Sequence, residues 1–199
     1  TTMLLGAARY LAETRDFSGE STSAELRYVS PTGGFADYVV GAYFQADDWN
    51  QLNTVWSTPT ALSTSALEQS SKSYALFALV NLHPSDALTI SVGGRYSLDR
   101  KSYAIDAKVR SNGVLVPTSS FAGKFKEEWG QFTPRLTIEY TFDPGRMVYA
   151  SYSKGYKAGG YNSRGTVAEN VGPYDPEKVD AYEIGAKTDW LGKKLRLNA

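Results

Sequence analysis

The segment QFTPRLTIEYTFDPGRMVYASYSKGYKAGGYN, residues 131–162, decides the fold. Its first half sets Phe132, Pro134, Leu136, Ile138, Tyr140 and Phe142 in alternation with Gln131, Thr133, Arg135, Thr137, Glu139 and Thr141. Successive side chains of a strand point to opposite faces, so one face is oily and the other wet. Asp143-Pro144-Gly145-Arg146 supplies a turn, in which Pro presets φ at the first central position and Gly relieves the second. The chain then returns as MVYASYSKGY. A soluble β-sandwich buries such an oily row against a second sheet, whereas an outer-membrane barrel turns it to lipid and lines its lumen with the polar row. One strand fits both readings; the connections separate them.

Working outward toward the N-terminus, residues 87–100 place Leu88, Ile90, Val92, Gly94, Tyr96 and Leu98 opposite Thr89, Ser91, Gly93, Arg95, Ser97 and Asp99. The preceding run, SYALFALVNLH at 73–83, is apolar on both faces and is joined to it by the minimal turn Pro84-Ser85-Asp86. Residues 37–49 put Tyr38, Val40, Ala42, Phe44 and Ala46 on one side, and ELRYVS at 25–30 closes on a Pro31-Thr32-Gly33-Gly34 turn. Residues 3–14 are expected to form a first strand, followed by a polar loop, DFSGESTS. Toward the C-terminus, residues 178–190 place Tyr182, Ile184, Ala186 and Trp190 opposite Glu183, Gly185, Lys187 and Asp189, and KLRLNA begins a last strand.

Three polar excursions remain, 50–72, 101–129 and 158–177, and these are expected to be long loops. Within the second, Ser111-Asn112-Gly113 marks a small hairpin, because Asn-Gly supports a type I′ turn. Short and long connections therefore alternate along the chain. A membrane barrel demands that alternation, with short turns on the periplasmic side and long loops outside, and a soluble Greek key does not. The expected fold is all-β: an antiparallel transmembrane β-barrel segment of about nine strands with short periplasmic turns and long extracellular loops.

Composition narrows the function. The 21 Lys and Arg balance 21 Asp and Glu, so no net field points to nucleic acid. Fourteen Tyr, eight Phe and four Trp favour strands and suit membrane interfaces. Cysteine is absent and His83 is the lone histidine, which leaves no thiolate or multi-histidine metal site; beside Pro84, His83 is expected to be solvent-exposed at a turn. No apolar run is long enough for a transmembrane helix, a test that barrel strands of about ten residues escape. No nucleophile with its base and no carboxylate pair in a defined setting is visible, so the chain is not expected to be an enzyme and no cofactor is implied. A start at Thr1 rather than Met is expected to reflect a cut N-terminus.

FTPRL at 132–136, VYASYSKGYKAGGYN at 148–162 and YDPEKVDAYEIGAKTDWLGKKLRLNA at 174–199, taken in order, resemble the β-barrel of TonB-dependent outer-membrane receptors. In the last motif the matching residues are Pro176 and Glu177, then Glu183, Gly185 and Lys187, then Gly192. The resemblance implies a receptor in the outer membrane of a Gram-negative bacterium that binds a scarce nutrient, most often a ferric siderophore. Import would be driven through the TonB-ExbB-ExbD complex of the inner membrane. It also implies a barrel of about twenty-two strands around a plug. Residues 1–199 would then be an internal piece of the barrel, lacking the plug and the remaining strands.

Tyr156, Lys157, Tyr161, Asn162 and Arg164 are the candidate ligand contacts, because aromatic and cationic groups suit chelated, anionic iron complexes. Pro176, Glu177, Glu183, Gly185 and Lys187 are assigned a structural role, with Glu183 and Lys187 expected to make ion pairs across strands on the lumen side. Gly155, Gly159 and Gly160 are expected to allow bends or close approach, and Pro134 to lie near the outer rim, where pairing ends. A passive porin or structural barrel and a soluble carbohydrate-binding sandwich are the alternatives.

Overall fold

Uninterrupted antiparallel pairing carries these alternating segments into a single sheet. The computed structural model describes residues 12–58, 60–164, 168–192 and 194–199. Its strands are β1 (Ala12–Val29), β2 (Ala36–Thr58), β3 (Ala61–Ser85), β4 (Leu88–Ser111), β5 (Val114–Leu115), β6 (Phe121–Asp143), β7 (Arg146–Lys157), β8 (Glu177–Trp190) and β9 (Leu195–Asn198). They line up as β1-β2-β3-β4-β6-β7-β8-β9, with β5 added beside β4.

The expected number of strands is met with different members. The DFSGESTS segment is not a loop: it lies inside β1, paired from Asp16↔Leu52 to Ser23↔Gln45. Most of the expected strand at 3–14 lies outside the described residues. The excursion at 50–72 is likewise the top of the β2–β3 hairpin, paired up to Thr58↔Ala61. The excursion at 101–129 continues β4 and β6, paired as far as Ala107↔Phe121. Polar composition does not mean looping here, because these strand extensions carry polar residues on one face or both. The third excursion is a genuine connection, with a short helical turn at Ala168–Val171. The Asn-Gly turn forms as expected: Asn112 and Gly113 have φ of 52° and 80°, and Ser111 pairs with Val114.

Register resolves the sheet into two faces. Leu76, Tyr96 and Phe132 share one rung, and Val80, Val92 and Leu136 another, and all of them are exposed. Val92, Leu136, Ile138, Tyr140 and Ile184 form no core; Ile184 is 86% exposed. This oily face is called outer. It spans ten residue steps from Leu88 to Leu98 on β4. At about 3.3 Å per step and a tilt of about 40°, that is a band about 25 Å tall, the height of a barrel's lipid-facing belt.

Aromatic pairs mark both margins of the band. Near the turns lie Tyr28 with Tyr38 (ring centroids 6.0 Å apart) and Tyr140 with Phe142 (4.9 Å). Toward the loops lie Phe44 with Tyr74 (5.3 Å) and Tyr152 with Tyr182 (5.0 Å). Amphipathic rings belong at the two membrane–water interfaces.

The opposite, inner face is polar at the level of the belt. Asn81 donates to Asp37 at 2.8 Å, Ser91 donates to Asn81 at 2.7 Å, and the His83 ring lies 2.7 Å from the second Asp37 oxygen. His83 is therefore not a free turn residue: it belongs to β3 and to this network. Pro134 pairs opposite Gly94 on β4, while on its other side the β6–β7 ladder stops at Arg135↔Ser153. Its missing N–H falls beside an open ladder, although the β4–β6 pairing runs well past it.

Candidate ligand-facing site on the inner face

Above the belt the inner face changes character, because its inward positions become aromatic. Gly19, Trp49, Gln69, Tyr103 and Phe125 form one continuous rung across β1, β2, β3, β4 and β6. A methyl group on Gly19 would lie 3.0 Å from Trp49 Cβ, so the glycine leaves room for the indole. Leu67, Tyr103, Ile105 and Ala107 are buried here, and Trp49, Phe121 and Phe125 pack against them.

The cover comes from the 158–176 connection. Tyr161 stacks on Tyr103 with centroids 5.2 Å apart and planes at 11°, and it also meets Phe125 at 5.8 Å and Trp129 at 6.5 Å. Val171 is wholly buried in the same cluster. Lys101 donates to the Gly159 carbonyl at 2.7 Å and lies 5.8 Å from the centre of the Trp129 ring. The connection is a folded unit: Gly160 and Tyr174 exchange backbone hydrogen bonds, and the Asn162 N–H donates to the Val171 carbonyl at 2.6 Å. A Cβ on Gly159 would sit 2.3 Å from the Tyr174 carbonyl oxygen, so this close approach requires glycine.

Burial sets the electrostatics. It pushes the Tyr103 phenol up to about 12. It also raises Tyr161, with Glu127 acting in the same direction. Burial lowers the Lys101 ammonium, against an opposing effect of Asp99. The hydroxyls of Tyr103 and Tyr161 are buried with no hydrogen-bond partner. The Tyr103 and Tyr161 rings are buried against each other, so the cluster anchors the 158–176 connection over the inner face, and of the sequence candidates Lys157, Asn162 and Arg164 stay exposed.

The structure does not gather the five sequence candidates at one point. Tyr161 is at the centre of the cluster, and the Tyr156 hydroxyl is buried. Asn162 shapes the loop, donating to the Asn170 carbonyl at 3.1 Å and accepting from the Arg164 N–H at 3.0 Å. Lys157 is exposed and pairs with Glu177 at 3.3 Å, and Arg164 is exposed. Lys101, Tyr103, Phe125 and Trp129 escape the sequence reading because they fall within the polar excursion at 101–129, and Trp49 because it ends the expected strand at 37–49 with no partner legible from spacing. The alternation Phe121, Gly123, Phe125, Glu127, Trp129 was the signal that could have found them.

The structural motif works differently from the expected ion pairing. Tyr149 pairs opposite Gly185, where a Cβ would lie 2.6 Å from the phenol ring. The Tyr149 hydroxyl donates to Glu183, and the Lys187 ammonium lies 5.4 Å from the ring centre. Glu183, Gly185 and Lys187 thus form a saddle for one tyrosine of the neighbouring strand. Asp180 accepts from the Tyr152 hydroxyl at 2.8 Å and pairs with Lys154 at 3.3 Å.

With an oily belt outside and a polar and then aromatic face inside, the chain can be compared with known proteins. Residues 3–199 match the model of the family "TonB dependent receptor-like, beta-barrel". The chain belongs to that family. Similar solved structures include the ferric yersiniabactin uptake receptor FyuA from Yersinia pestis, at 23% identity and TM-score 0.78, covering 90% of this chain and 27% of that one. The siderophore receptor PiuA from Acinetobacter baumannii matches at 17% identity and TM-score 0.70, covering 92% and 31%. The alcaligin outer membrane receptor FauA from Bordetella pertussis matches at 16% and 0.56, covering 94% and 29%. The TonB-dependent receptor barrel described here thus spans less than a third of the length of these relatives.

Proposed function

We propose that the TonB-dependent receptor to which this barrel segment belongs sits in the outer membrane of a Gram-negative bacterium and takes up a ferric siderophore. Import is energised through TonB, ExbB and ExbD, acting on the plug of the full-length protein. The observation that carries this reading is the family match over residues 3–199, together with a connection at the loop end that the Tyr103–Tyr161 stack pins over the inner face. Exposed cations such as Lys157 and Arg164 on that connection and at its start suit a chelated, anionic metal complex. Family membership and structural neighbours described as a ferric yersiniabactin uptake receptor, a siderophore receptor and an alcaligin receptor support the same reading.

In this reading Arg164 acts from the 158–176 connection, Tyr161 within it and Tyr156 at the end of β7 support it by packing, and Lys157 and Asn162 hold its ends and shape. The test is uptake of radioactive iron presented on a panel of siderophores, in iron-starved cells carrying the full-length receptor. Deleting residues 158–176 is expected to abolish uptake of one complex, and removing TonB is expected to do the same. Uptake that persists without TonB would instead indicate a passive pore.

A further inference from the structure

We propose that the upper edge of β6, from Ala122 to Gly130, is a docking site for an extended, acidic polypeptide strand from outside the receptor, which pairs with it as an added strand of the sheet. The inference rests on placement of the oily belt in the outer membrane and is independent of the transported ligand.

Along its upper half β6 has a neighbouring strand on one side only. It pairs with β4 from Tyr140 to Phe121, whereas its ladder to β7 ends at Arg135↔Ser153. The Thr141 N–H donates to the Ala87 carbonyl at 2.8 Å, so odd-numbered residues of β6 aim their backbone groups at β4 and even-numbered ones aim away. Above the end of the β7 ladder, Ala122, Lys124, Lys126, Glu128 and Gly130 thus turn their N–H and C=O groups to an open side, and all five residues are exposed. They have no backbone partner there among the described residues. The next carbonyl down, that of Phe132, is capped by the Gln131 side-chain amide at 2.8 Å. The chain beyond β7 does not fill the gap, because it turns over the inner face, where Lys101 holds the Gly159 carbonyl and Tyr161 meets Phe125 and Trp129. The open stretch begins just above Phe132, the last apolar residue of the outer row on β6, so it stands in water on the loop side of the belt.

An open ladder is a template for another strand, and proteins guard such edges with lysine and proline. Lys124 and Lys126 stand on the outer row of this edge without an acidic partner among the described residues, Glu128 is paired with Arg100, and Pro134 lies just below the open stretch. Like charges directly opposite each other on paired strands destabilise and opposite charges stabilise, so this edge rejects basic strands and selects one with carboxylates two residues apart. Backbone hydrogen bonds supply the affinity, and the two lysines choose the partner. A second copy does not meet that requirement: in the same membrane its β6 runs in the same direction, and in-register parallel pairing sets lysine beside lysine. From Ala122 to Gly130 the edge is about 26 Å long at about 3.3 Å per residue step, enough for about nine residues of an added strand.

The test uses the full-length receptor purified in detergent, with fluorescence anisotropy of a labelled peptide of about nine residues in which valine and glutamate alternate. Two further versions are N-methylated, one on the valine amides and one on the glutamate amides. One of them is expected to bind as the parent does and the other at least tenfold more weakly, because only alternate amides of an added strand face β6. A peptide with lysine in place of glutamate is expected to bind at least tenfold more weakly than the parent, and K124E/K126E to reverse that preference, a gain that misfolding cannot mimic. Lys126→Pro removes an edge-facing N–H that Lys126→Gln keeps, and both leave the ladder to β4 whole. The proline variant is therefore expected to bind at least threefold more weakly than the glutamine variant, with the same thermal transition. Equal binding of the two methylated peptides, or of the two Lys126 variants, would show attraction by charge alone and overturn the proposal. Protection of the edge amides from hydrogen exchange in the peptide-free receptor would show that another segment of the receptor already covers the edge, which overturns it as well.

Discussion

The lower and upper halves of this sheet are built from the same strands and are opposite in dress. Below, apolar side chains point outward and a hydrogen-bonded polar network lines the inner face. Above, charged side chains point outward and aromatic side chains pack inward beneath a folded connection. The ladders from β1 through β4 to β6 cross the boundary unbroken, and β4 and β6 stay in register from Leu88↔Tyr140 to Ala107↔Phe121, while β7 parts from β6 above Arg135↔Ser153. What changes is the solvent on either side. Where hydrocarbon is outside, the oily row faces out and backbone polarity is absorbed by the ladder. Where water is outside, the same ladder must bury its oily row inside, and the 158–176 connection supplies the cover.

The largest test strikes the upper half. Tyr161→Ala removes a buried ring stacked on Tyr103 and leaves a cavity under the connection. Large aromatic-to-alanine changes in cores cost about 3–5 kcal/mol, here expected as loss of hydrogen-exchange protection across 158–176 while the belt strands stay protected. Loss spread evenly through the sheet would show that the two halves are one cooperative unit.

Next comes the lower half. Leu136→Arg places a charge on the exposed apolar row between the two aromatic margins. At mid-membrane depth it is expected to destabilise the receptor by about 2–4 kcal/mol in equilibrium unfolding from lipid vesicles. Ala122→Arg, on the upper outer face opposite Asp106, is expected to change stability by less than about 0.5 kcal/mol. Equal effects would mean that the band does not meet hydrocarbon.

A smaller effect probes the glycine saddle. Gly185→Ala drives a methyl group into the Tyr149 ring, and overpacking of this kind costs about 1–3 kcal/mol. Adding Tyr149→Ala to it should recover part of the loss, which a double-mutant cycle measures.

The smallest effect is set by pH. Tyr103, held up to about 12, and Tyr161, raised by burial, are neutral in both folded and unfolded states below the ordinary phenol range. The raised folded values mean that docking of the connection is at full strength below about pH 10 and weakens as pH rises from there toward 12. Tyrosinate absorbance should show late-titrating phenols that move to the ordinary range in Tyr161→Ala.

Much of the lower half was legible. A period of two over Phe132–Phe142 and Leu88–Leu98 was enough to assign the faces, since one residue of slip would turn the oily row inward. The upper half was not, because polar residues in 50–72 and 101–129 matched the composition of loops, and the alternation that contradicted it was carried by a few aromatics. The motif Glu183, Gly185 and Lys187 was recognised, but its purpose was not, because Tyr149 lies in a different strand and sequence spacing contains no information about which tyrosine the glycine admits.

The sequence by itself determined an antiparallel sheet with an oily face and a polar face, reversing at Asp143-Pro144-Gly145-Arg146, because alternation and turn chemistry are local properties of the backbone. Only the tertiary structure decided that Tyr161 closes over Tyr103 and that the strands outrun the belt. Those facts depend on register between strands, and register is set by the summed fit of every cross-strand pair rather than by any one segment.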